Sequence, residues 1–87
     1  MRLCRRRRSE ERYQQALALA EQLGLRPLGS RCHLELGRLY RRAGKPWMAE
    51  PHLLAARTMS SELGLRPMLR EAEAELEKLC DVEPAGG

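Results

Sequence analysis

The chain has 87 residues, 43% apolar and 32% charged, with 16 Lys and Arg against 12 Asp and Glu for a net charge of +4. That length holds one small domain whose core gives only modest stability. No run approaches the ~20 apolar residues that cross a bilayer. The basic opening "MRLCRRRRSEERY" lacks the apolar stretch of a secretory signal, and Cys4, Cys32 and Cys80 are too few and too scattered for a disulfide framework. Reduced thiols in a cytoplasmic setting are the expectation.

Leu and Ala supply most of the apolar content, and aromatics are limited to Tyr13, Tyr40 and Trp47, a balance that favours helix over strand. Residues 1–8 read as a basic, disordered leader. A first helix is expected from Ser9, a good N-cap, with Glu10 and Glu11 at the positive end of its dipole. Tyr13, Ala16, Leu17, Ala20 and Leu23 follow helical spacing. Gly24 then suits a left-handed helix end and Pro27 a new start. A second helix carries Cys32, Leu36, Leu39, Tyr40 and Ala43 on one face, with Gly37 in its middle where a neighbouring helix comes close. Gly44 and Pro46 end it. A third carries Ala49, Leu53, Ala56, Met59, Ser60 and Leu63; Pro51 calls for a late start near Ala49 or a bend. A fourth begins at Pro67 and buries Leu69, Ala72, Leu76 and Leu79. Residues 9–80 thus form the helical domain and 81–87 a frayed tail.

The pentapeptide Leu-Gly-Leu-Arg-Pro occurs at 23–27 and again at 63–67, a shift of 40. The same shift lays Tyr13 on Leu53, Ala16 on Ala56, Leu36 on Leu76 and Leu39 on Leu79. Helices one and three are copies, as are two and four. A two-helix unit recurring at fixed period implies an all-α fold of antiparallel helix-turn-helix repeats, an α-solenoid fragment of four helices.

From His33 the chain reads His33-x2-Leu36-Gly37-x2-Tyr40, then Ala49-x3-Leu53-x2-Ala56. This resembles the tetratricopeptide repeat, W-x2-L-G-x2-Y followed by A-x3-F-x2-A. His33 stands for the Trp, Leu53 for the aromatic, and the period is 40 rather than about 34. The phrase "LALAEQLGLRPLGSRCHLELGRLYRRAGK" is similar to the C-terminal repeats of bacterial LuxR-type regulators and of signalling ATPases fused to adenylate cyclases. The resemblance implies a non-catalytic module that binds a protein or peptide. It also implies that the second helix lines a concave face. Arg31, Arg38 and Arg42 fall close to one line on that helix, bordered by Arg41, with Leu34 between them. The expected occupant is an acidic segment held by the arginines, with Leu34 as an apolar contact.

The alternative is phosphate-backbone binding by Arg5, Arg6, Arg7 and Arg8. No aromatic platform or recognition motif accompanies that run. Helix one also lacks its own first helix, which leaves a side free for self-association. No nucleophile–base–orienter set, phosphate-cradling glycine pattern or metal-ligand spacing is visible, so no enzyme, cofactor or metal is expected. Cys32 reads as a core residue, His33 and His52 as surface residues. Glu71, Glu73, Glu75 and Glu77 read as a solvated face.

Overall fold

The computed structural model describes residues 2–82, with side chains from Ser9 to Leu79. Four helices follow one another: α1 (Arg2–Leu23), α2 (Arg26–Arg42), α3 (Pro46–Leu63) and α4 (Arg66–Val82). Among the described residues there is no strand. The all-α repeat architecture is therefore as expected. The helix start is not: α1 begins at Arg2, ahead of the anticipated cap at Ser9, consistent with the good helix propensity of arginine. α4 runs to Val82, so the expected tail is helical at Asp81 and Val82, and residues 83–87 lie outside the described residues.

The corners explain the repeated pentapeptide. Gly24, Gly44 and Gly64 have φ of 70°, 78° and 73°, and they are spaced evenly, since 64 − 44 = 44 − 24 = 20. After each, the next N–H returns to a carbonyl five residues back: Leu25 to Ala20 at 2.8 Å, Lys45 to Tyr40 at 2.9 Å, Leu65 to Ser60 at 2.9 Å. This is the helix stop built on a left-handed glycine. Pro27 and Pro46 fall in the first turns of α2 and α3, where the missing N–H has no intrahelical partner to lose. α3 starts at Pro46, not late, and continues through Pro51. Pro51 is exposed, and its missing N–H leaves the carbonyl of Trp47 without its helical donor.

α2 packs against all three other helices and α3 also packs on α4. Among the described residues the backbones of α1 and α3 do not meet, whereas those of α2 and α4 do. α2 and α4 are therefore the inner pair, with α1 and α3 outside. The core joins Leu34, Leu36, Tyr40, Ala49, Leu53, Ala56 and Ala72, flanked by Tyr13, Leu17, Met68, Leu76 and Leu79. Small residues set the helix separation. A methyl on Gly37 would overlap Cγ and Cδ2 of Leu53, so the glycine does admit the neighbouring helix. Ser30 and Ser60, both fully buried, meet at 2.8 Å where α2 crosses α3. Ser30 also donates to the Ala56 carbonyl at 3.3 Å, which leaves neither hydroxyl without a partner.

Candidate partner-binding face

The inner face is made by α2 and α4, and its charges come from both. On α2, Ser30, Leu34, Arg38 and Arg41 recur at intervals of four, four and three residues, one stripe of a helix. α4 covers that stripe. Ser30 Oγ lies 3.1 Å from the Met68 sulfur. Arg38 donates to Glu71 at 2.8 Å, to Glu75 at 3.1 Å and to Glu35 at 3.4 Å. Arg41 donates to Glu75 at 2.6 Å. Lys78 stands 3.6 Å from the same carboxylate. Glu75 is the hub, its side chain only 6% exposed. Burial pushes its pKa up, but hydrogen bonds from Arg41 and Arg38 outweigh burial and hold it below the ordinary carboxylate value. Arg38 loses solvent in the same way, and its bonds to Glu75 and Glu71 nonetheless leave it more firmly protonated.

This geometry corrects two expectations. Leu34 is not an apolar contact for a partner: it is fully buried, because the side that seemed open is where α4 sits. The carboxylate series is not one solvated face either. Glu73 and Glu77 are exposed, while Glu71 and Glu75, one turn apart on the opposite side, turn toward α2. Of the four arginines, Arg38 and Arg41 are neutralised within the fold. Arg31 is exposed and pairs with Glu35 of its own helix at 3.2 Å. Arg42 is exposed, with no ion pair among the described residues. The side chains of Arg5, Arg6, Arg7 and Arg8 lie outside the described residues; their backbone is part of α1. The matching signal was in the sequence as Glu71 and Glu75 at i, i+4, complementary to arginines 33 to 37 residues earlier.

Cys32 is a buried core thiol, raised in pKa by burial and then by Glu35, an inert setting rather than a nucleophile's. Cys4 and Cys80 lie outside the described side chains. The histidines are not surface residues: His33 and His52 are half-buried and face each other between α2 and α3. Tyr40, in the last turn of α2, donates to Glu10 of α1 at 2.5 Å and accepts from Gln14 at 3.2 Å. Burial, then the Glu10 bond and charge, push its hydroxyl up to about 12. Among the described residues no cluster of three or more ligand groups is placed to hold a metal ion, and no helix is long and apolar enough to cross a membrane.

The family model of the tetratricopeptide repeat matches residues 1–62. The chain belongs to the tetratricopeptide repeat family. The match takes in α1, α2 and α3, and α4 follows as the copy of α2 shifted by 40. Tetratricopeptide repeats are non-catalytic modules that mediate protein–protein interaction. No curated protein and no solved structure matches the chain.

Proposed function

We propose that this tetratricopeptide chain receives an extended segment of a partner protein along the inner face formed by α2 and α4. One observation supports this reading above the rest. The Arg38 and Arg41 contacts to Glu71 and Glu75 fix the two helices side by side, so the face is set before any partner arrives, and a preformed site loses less entropy on binding. Arg31 and Arg42 remain exposed on α2, 11 residues apart, or about 16 Å along its axis. They favour a segment with acidic residues near both ends. The resemblance to the terminal repeats of bacterial regulators and signalling ATPases supports a setting within cytoplasmic signal transduction.

The test uses a fluorescein-labelled Glu-rich peptide of about eight residues, which in extended form matches the length of α2. Its anisotropy is titrated with the intact chain and with Arg31→Glu plus Arg42→Glu. The reading holds if the double variant keeps its helicity and binds at least about tenfold more weakly, the equivalent of about 1.4 kcal/mol. Undiminished binding refutes it.

A second contact is favoured by Leu19 and Leu23, which α1 leaves 51% and 61% exposed. They offer a side for a neighbouring helix, from a longer chain or a second copy.

A further inference from the structure

His33 of α2 and His52 of α3 meet Nδ1 to Nδ1 at 3.0 Å, with ring centroids 5.2 Å apart. That contact needs a single proton between the two nitrogens, one donating and the other accepting. Two neutral rings satisfy it when only one of them carries its hydrogen on Nδ1. A singly charged pair satisfies it as well. Two imidazolium rings do not, because both nitrogens then carry hydrogen and two positive charges face each other in a half-buried gap.

The surroundings offer little relief. Tyr40 lies against His52, nearly parallel at 22° with centroids 5.7 Å apart, and its hydroxyl is already committed to Glu10 of α1. Glu21 of α1 is the carboxylate that favours a charge on His33, and it is outweighed. Among the described residues no charged group of α4 bears on either ring.

We propose that the His33–His52 pair is an acid-operated clasp between the two helices of the complete repeat, closed with no proton or one beyond the neutral rings and forced open by the second. Its place gives it leverage. His52 precedes Leu53, and His33 lies one turn before Gly37, so the pair sits beside the tight contact of Gly37 with Leu53. Opening there shifts α3 against α2 and, through α4, the inner face.

The direction of the pH effect follows from the burial. Desolvation holds both histidines below their ordinary value of 6.5, and for His33 the charge of His52 adds to it. The unfolded chain therefore takes up protons before the folded one. Stability contributed by the pair is complete above 6.5 and is lost as pH falls through 6.5 toward the folded-state values.

The test is a series of thermal melts of the whole chain from about pH 7.5 to about pH 5.5, a window above ordinary carboxylate titration. His33→Gln and His52→Gln are compared with the unaltered chain. The expected result is a midpoint that falls by several degrees in the unaltered chain and by less than half as much in either variant. An equal fall in all three overturns the proposal. NMR titration of the unaltered imidazoles decides the matter even if a variant fails to fold. Two separate steps, both below 6.5, support the clasp; two independent titrations at the ordinary value sink it.

Discussion

Glu75 and Gly37 are the residues on which the inner face and the core turn. Glu75→Gln keeps the shape and removes the charge, leaving Arg41 without its carboxylate and Arg38 with only Glu71 and Glu35. The expected cost is about 3 kcal/mol in urea unfolding, because the arginines stay behind in a largely desolvated place. The same residue sets an acid limb. Its folded pKa lies below the ordinary carboxylate value, so its contribution is full above that value and fades as pH falls below it. Urea midpoints measured across that range should slope for the unaltered chain and flatten for Glu75→Gln. Gly37→Ala poses opposing effects: alanine gains about 1 kcal/mol of helix propensity. Displacing the fully buried Leu53 costs about 1–3 kcal/mol. Packing should win, with a net loss of up to about 2 kcal/mol and no change in helical circular dichroism before the melt.

At the scale of the element, the corners behave as three instances of one device. A Cβ on Gly24, Gly44 or Gly64 meets nothing within 4 Å, so alanine there strains only the left-handed backbone, at about 1–2 kcal/mol. Three single Gly→Ala variants should lose similar stability by chemical denaturation, and a marked inequality would point to contacts beyond the turn. These corners were legible in the sequence because Leu-Gly-Leu-Arg-Pro states a stop and a start locally. So was the core of α3, where Ala49, Leu53, Ala56 and Ser60 are all buried. What periodicity cannot say is which neighbour covers a face. The stripe legible on α2 runs through Arg31, Arg38 and Arg42, with Arg41 at its border and Leu34 between its members. Periodicity leaves that side open, whereas the three-dimensional return of α4 fills it at Leu34, Arg38 and Arg41. His33 and His52 are 19 residues apart on different helices, and no local pattern announces that their rings converge.

The whole molecule is a thin slab of 43 × 35 × 17 Å, about two helix layers deep. In such a slab protection follows the number of neighbours. α2, which touches every other helix, should hold the slowest amide exchange, and the start of α1 the fastest. Light scattering addresses the exposed edge of α1: if Leu19 and Leu23 join a second copy, mass should rise with concentration and Leu19→Glu plus Leu23→Glu should restore the monomer. A monomer at all concentrations would leave that edge to a neighbour in a longer chain.

The ion-pair network between α2 and α4 also has a direction. Shifted by 40, Glu75 falls on Glu35 and Lys78 on Arg38. α2 therefore carries both the carboxylate that a preceding unit would grip and the arginines that grip the next. Duplicating residues 25–64 in place would add 40 residues to the 87, for 127, and would present each new Glu35 to the Arg38 and Arg41 before it. The chain is in that sense a segment with matching couplings at both ends, extensible by whole units at the level of the gene, with its inner face lengthened at each addition.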